Sequence, residues 1–375
     1  MTNTAAGPRE PPGVIPSLNG IRAVAVSLVF LSHNGLGGLI PGGLGVTIFF
    51  VLSGYLITTL MRVEFGRTGR LSYGGFYLRR VLRLLPPLFI VAGLAGALAA
   101  IGVIDGPFSV AGLLSTLFYF GNYFVIAGDF HGMPAGLGVI WSLAIEEHYY
   151  LLFPPVAAFL LASGRTRLTV AFLAACCVAV FLWRCWIYGH GASVAYLTMA
   201  TDTRVDAILI GCILAVLRNP WLDPVAPRRR ARDASVAFTC IAVLAATLLY
   251  RDEAFRLTAR YTLQSLAIAP LLYLAVARAD QAPFRWLKSA PLVYLGTVSY
   301  TVYLVHQIVL LGIAKHFPEL GPVVLGVAAA ALTLALAEPM RRLVEEPCAT
   351  LRRRLHQDAK SSQSRKLGAV PVSTP

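Results

Sequence analysis

The chain has 375 residues, of which 57% are hydrophobic and only 13% charged, with a formal net charge of +14 and a mean hydropathy of +0.69. A soluble domain carries about 25% charge, so this composition excludes the soluble classes and points to a polytopic membrane protein built of α-helices. The excess of Lys and Arg is scattered over short loops between apolar runs, which suits cytoplasmic loops facing anionic lipid and argues against nucleic acid as a partner.

In chain order, residues 1–17 are polar with several prolines and read as a disordered cytoplasmic lead. The membrane domain is expected over 18–348. Its apolar segments fall near 21–40, 44–62, 84–104, 108–127, 140–162, 168–188, 204–217, 234–250, 262–279, 292–314 and 321–344. The first run carries Arg22 and has no small-residue cleavage site after it, so it is expected to stay as the first span rather than leave as a signal peptide. Residues 349–375 read as a basic disordered tail.

Charge tests the number of crossings. The loop 62–83 holds Arg62, Arg67, Arg70, Arg79, Arg80 and Arg83, and belongs in the cytoplasm. Ten crossings with both termini cytoplasmic also put Arg165/Arg167, Arg228–Arg230, Arg285/Lys288 and the tail inside, and the loop 189–203, free of Lys and Arg, outside. The loop with Arg251, Arg256 and Arg260 counts against this arrangement. The expected fold is therefore an all-α transmembrane bundle of about ten spans, with 108–127, broken at Gly121-Asn122, as a re-entrant helix. No internal repeat relates the two halves, as it does in many transporters.

Several polar groups sit where lipid makes them expensive. Arg22 and His33 are eleven residues apart, about 16 Å of helical rise and nearly the same face. His is suited to take a hydroxyl proton near neutral pH, and Arg to handle negative charge, either on the donor or on an oxyanion. Gly42-Gly43-Leu44-Gly45 to Ser53-Gly54-Tyr55 permits close helix approach. Arg79, Arg80 and Arg83 fall within one helical turn of each other. They read either as a topology anchor or as a phosphate site for a coenzyme A thioester. Ser142, Glu146 and Tyr150 share a face in Trp141-Ser142-Leu143-Ala144-Ile145-Glu146-Glu147-His148-Tyr149-Tyr150. Arg204 and Asp206 either pair with each other or meet substrate. Tyr300 and His306 bring a second histidine into an apolar run. Cys176, Cys177, Cys185, Cys212, Cys240 and Cys348 form no CxxC or Cys/His metal spacing, and no metal is expected.

Taken together, the chain resembles the acyltransferase 3 family of integral membrane acyltransferases. The resemblance runs through Ser17-Leu18-Asn19-Gly20-Ile21-Arg22-Ala23, His33, Gly45-Val46, and Phe49 to Ile57. It continues through Phe76-Tyr77-Leu78-Arg79-Arg80, Arg83, Pro86, Gly121-Asn122-Tyr123 and Trp141-Ser142-Leu143 to Glu146-Glu147. It closes on Arg204 to Asp206, Gly211, Tyr294-Leu295-Gly296, Ser299-Tyr300, His306 and Glu346-Pro347. It departs at Asn19, where many members carry Asp.

The resemblance implies O-acyl transfer, commonly of acetyl, from acyl-CoA as cosubstrate to a sugar, glycan or glycosylated-metabolite hydroxyl. It implies His33 and Arg22 as catalytic, and Arg79, Arg80 and Arg83 as donor-binding; Glu146, expected to orient a histidine or the acceptor, joins the catalytic set. Asn122, Trp141, Ser142, Tyr150, Arg204, Asp206, Tyr300 and His306 are the expected substrate-binding set. From another class, a transporter or flippase of an acylated or lipid-linked sugar would use the same buried charges as a pathway.

Overall fold

The computed structural model of the chain describes residues 15–106, 109–128 and 130–355. Residues 1–14 and 356–375, with most of the expected lead and tail, lie outside the described residues. Among the described residues the regular structure is helical throughout.

Helix α1 runs Pro16–Leu31 and opens on a proline, whose fixed φ and missing N–H suit a first turn. Pro16 and Ser17 thus belong to the first helix. The chain then makes a π-type turn over Ser32–Leu36, where Gly35 takes a left-handed φ of 78°. Next comes α2, Gly42–Thr68, closed by Gly69 at φ 68° with its N–H on the Phe65 carbonyl. Ser72 caps α3, Tyr73–Ala100, by accepting from the Gly75 N–H.

The segment expected as a re-entrant helix is two eight-residue helices, α4 (Val110–Leu117) and α5 (Gly121–Gly128), joined through Tyr119 at a positive φ. Each covers about 12 Å, too little to cross a bilayer. The rest are α6 (Trp141–Ala162), α7 (Thr166–Gly189), α8 (Val194–Met199), α9 (Thr201–Leu217), α10 (Arg230–Leu249), α11 (Glu253–Leu257), α12 (Ala259–Ala277), α13 (Ala290–His316) and α14 (Pro322–Met340). The last continues through a π-type turn to Leu355.

Among the described residues, six helices are long and apolar enough to cross a membrane: α2, α3, α7, α10, α13 and α14 with its extension. Burial sorts them. The apolar windows of α2 and α13 are 72% and 61% buried, whereas those of α7 and α10 are 22% and 17% buried. The centre is therefore α2 and α13 with the shorter α1 and α9 packed on them. Outward-facing Phe172, Trp186, Phe238 and Leu249 coat the periphery, as lipid contact requires.

Small residues set the central crossings, because helices surrounded by lipid gain little from hydrophobicity and associate by close packing. A Cβ on Gly54 of α2 would stand 1.9 Å from the Ile208 carbonyl oxygen of α9, and one on Gly211 of α9 would stand 2.0 Å from the Val51 carbonyl oxygen of α2. The α1–α13 crossing repeats the device: a Cβ on Gly296 would meet the Asn19 carbonyl oxygen at 1.9 Å. Backbone atoms cannot rotate aside, so Gly54→Ala should push α2 and α9 apart and cost about 1–3 kcal/mol. Thermal unfolding of the detergent-solubilised variant checks this. An unchanged Tm would mean the helices meet less closely than described.

Candidate active site

Helices α1, α2, α3, α6 and α13 converge on a cavity of about 260 Å³. Arg22 comes from α1, and its Nε donates to Ser299 Oγ of α13 at 3.1 Å. Arg80 and Arg83 come from the first half of α3. The Arg80 guanidinium lies 3.6 Å from the centre of the Tyr150 ring, and its Nε is buried with no hydrogen-bond partner. Among the described residues none of the three arginines is ion-paired with a carboxylate.

Two acids share the cavity, Glu146 and Glu147 of α6. Glu146 accepts from Ser53 Oγ at 3.0 Å and from Tyr150 Oη at 3.1 Å, one hydroxyl on each carboxylate oxygen. The expected helical face of Ser142, Glu146 and Tyr150 is thus present, and all three line the cavity. Tyr300 lines it too, donating through Oη to the Leu84 carbonyl at 2.8 Å. At the inner end Tyr303 Oη donates to the Val139 carbonyl at 2.9 Å and shares a hydrogen bond of 2.7 Å with Ser142 Oγ.

The two histidines lie beyond Tyr303. His306 is one turn further along α13, fully buried, with its ring 5.8 Å from that of Tyr303. Its Nε2 is 3.1 Å from His33 Nδ1, and the two rings are 5.2 Å apart. His33 itself is exposed, on the π-type turn that ends α1. Arg22 and His33 therefore do share a face, and α13 meets both: Ser299 at one end, His306 at the other. Seven residues of α13 between those contacts rise about 10 Å.

Other expected site residues go elsewhere. Arg79 turns to Glu64, at 2.9 Å, because i and i+1 positions on a helix diverge by about 100°. Glu146 is bonded to neither histidine; the group that meets His33 is His306. Arg204 and Asp206 do not pair with each other, since i and i+2 side chains point to opposite sides of a helix. Arg204 lies 3.7 Å over the Tyr261 ring and bonds to the Thr198 carbonyl and Thr47 Oγ1. Asp206 pairs with Arg184 of α7 at 3.0 Å, both side chains fully buried, and accepts from Thr262 Oγ1 at 2.6 Å. Asn122 donates to the Met199 carbonyl and Thr201 Oγ1, tying α5 to the α8–α9 junction. Trp141 packs edge-on against Phe50, behind the cavity wall.

Ser53, Tyr119, Ser299 and Tyr303 line the cavity and were not among the expected site residues. Tyr303 had a signal: it sits three residues from both Tyr300 and His306, on their face of α13. Arg184 had one as well, as the lone charge within the apolar run 168–188.

Comparison with known proteins shows the family of the chain. An acyltransferase domain family matches residues 15–339. A Staphylococcus aureus (strain NCTC 8325 / PS 47) protein named O-acetyltransferase OatA is 29% identical over 352 residues, 90% of this chain and 57% of its own length. A Bacillus subtilis (strain 168) protein, YrhL, provisionally named a peptidoglycan O-acetyltransferase, is 30% identical over 353 residues, 90% of this chain and 55% of its own. The chain thus spans a little over half the length of these relatives. No solved structure matches it.

The Arg184–Asp206 pair is a separate, structural charge site, and breaking it leaves a lone ion in a dry interior. Asp206→Asn should cost about 3–5 kcal/mol of stability. A fall in the detergent Tm checks it; a Tm equal to that of the parent protein would show that the pair is not buried.

Proposed function

The chain belongs to the acyltransferase 3 family, and from that premise we propose that it is a membrane-bound O-acyltransferase moving an acetyl group from acetyl-CoA to a carbohydrate hydroxyl. The observation that carries this reading is the set of three arginines without ion pairs around one cavity, with a histidine pair beyond it. Unneutralised guanidiniums inside a helical bundle are costly, and a polyphosphate ligand supplies what they lack. Arg80 Nε is buried with no hydrogen-bond partner in the protein, which supports the same reading.

In this mechanism Arg22, Arg80 and Arg83 hold the donor phosphates. Arg22 contacts α13 about 10 Å of rise before His33 does, which favours the donor over the oxyanion as its partner. Coenzyme A carries its thioester on a long arm, so phosphates held at one end of α13 and chemistry at the other are compatible. His33 takes the acceptor O–H proton. The acceptor oxygen bonds to the thioester carbon, the C–S bond breaks, and the thiolate leaves with the proton from His33. Glu146 and Glu147 offset part of the cavity's positive charge. A glycan as acceptor is supported by the peptidoglycan named for the B. subtilis relative.

The proposal includes ten crossings: the six long helices plus α1, α6, α9 and α12, with both termini cytoplasmic. Arg67, Arg70, Arg165, Arg228–Arg230, Arg278, Arg285 and Lys288 then face the cytoplasm with the cavity's arginines, while α4, α5, α8 and α11 lie on the outer side, with His33.

Two experiments test this. In acyl-CoA binding and turnover by purified protein, Arg80→Ala with Arg83→Ala should weaken donor affinity. His33→Ala should keep donor affinity and lower kcat by about 10²–10⁴. Turnover near that of the parent in His33→Ala, or unchanged donor affinity in the double variant, refutes the assigned roles. Transport of a glycan without acyl-CoA consumption would move the chain to the carrier class. In a cysteine-free background, a membrane-impermeant label applied outside should reach a cysteine at Ser193 and not one at Ala231; the reverse pattern inverts the orientation.

A further inference from the structure

We propose that His306 is the positioning residue that fixes His33 in its Nδ1–H tautomer, leaving His33 Nε2 as the proton acceptor; this rests on the acyl-transfer reading of the site.

The argument follows protons along one hydrogen-bonded line. His306 Nδ1 lies 2.7 Å from the Tyr303 carbonyl oxygen and 3.2 Å from that of Val302. A carbonyl oxygen only accepts, so His306 Nδ1 bears a hydrogen. The His306 ring is fully buried, with Phe30, Tyr303 and His33 as its ring neighbours, and its hydrogen-bond partners among the described residues include no acid. A doubly protonated, charged ring there would be costly, so His306 Nε2 keeps its lone pair. The atom 3.1 Å away, His33 Nδ1, must then be the donor.

The opposite arrangement, with His306 Nε2–H donating to His33, would set the bare Nδ1 of His306 against two carbonyl lone pairs. With Nδ1–H fixed, His33 has one basic atom left, Nε2, on the exposed side of the π-type turn. When Nε2 accepts the acceptor's proton, His306 Nε2 continues to accept from Nδ1–H and stabilises the imidazolium. His306 itself neither gains nor loses a proton. It works as an orienting group on a base commonly does, here with a neutral ring rather than a carboxylate.

The test reads the tautomer directly. ¹⁵N-histidine-labelled protein in lipid nanodiscs, with His33 assigned by difference against His33→Gln, should show His33 as Nδ1–H at neutral pH. In His306→Gln the amide oxygen reaches the place of Nε2, so the tautomer and most of kcat should survive. In His306→Asn the amide stops short, at the place of Nδ1. His33 should then lose its Nδ1–H preference and kcat should fall about 10²-fold or more, with KM for both substrates little changed. Finding His33 as Nε2–H in the parent protein, or an Nδ1–H form that persists in His306→Asn, overturns the proposal. The spectra decide this without turnover. An Nδ1–H His33 in a protein that transfers no acyl group would sink the acyltransferase reading and leave the tautomer assignment standing.

Discussion

Charge without a counterion, held inside helices that face lipid, is the constraint on which this structure depends. Arg22, Arg80 and Arg83 cannot lie on lipid-facing sides of α1 and α3, because lipid offers a guanidinium nothing. They line the cavity instead: Arg22 bonds to Ser299 of α13 and Arg80 lies over the Tyr150 ring of α6, both half-buried, while Arg83 lines the cavity as an exposed residue. The carboxylates of Glu146 and Glu147 are close enough to line the same space, yet Glu146 is engaged by Ser53 and Tyr150 rather than by an arginine. Among the described residues neither acid forms an ion pair with an arginine of the cavity.

A fully buried arginine site elsewhere in the bundle shows the contrast. Arg184 and Asp206 neutralise each other, with Thr203 and Thr262 taking further hydrogen bonds, and neither residue lines the cavity. Arg204 lies nearby, over Tyr261. This cluster ties α7, α9 and α12 together in the part of the bundle behind the α2–α9 crossing. The same residue types serve two ends. A matched pair in a dry interior holds helices in register, and arginines without ion pairs line a cavity.

Helix α13 links the parts of the site. One face of it carries Ser299, Tyr300, Tyr303 and His306, which meet in turn Arg22, the Leu84 carbonyl, Ser142 and His33. Close packing at Gly296 against Asn19 brings α1 near enough for both of its polar residues to reach that face. A methyl group at that crossing would disturb the arginine contact and the histidine contact together, since both depend on the α1–α13 distance.

Much of this is legible in the amino-acid sequence. Hydropathy and charge make the chain a helical membrane protein, because lipid allows no other arrangement for so many long apolar runs among these loops. Helical periodicity puts Arg22 with His33, and Ser142 with Glu146 and Tyr150, since spacing along one helix is a local property. Residue type picks out the arginines and histidines, because ionisable groups in apolar runs are rarely without a role. Tertiary structure decides who meets whom. The turn of Arg79 to Glu64, the capture of Asp206 by Arg184, and the meeting of His33 with His306 across 273 positions depend on helix crossings. Those crossings are set by which small residues touch which backbone, a pairing between distant segments that no periodicity within one segment encodes.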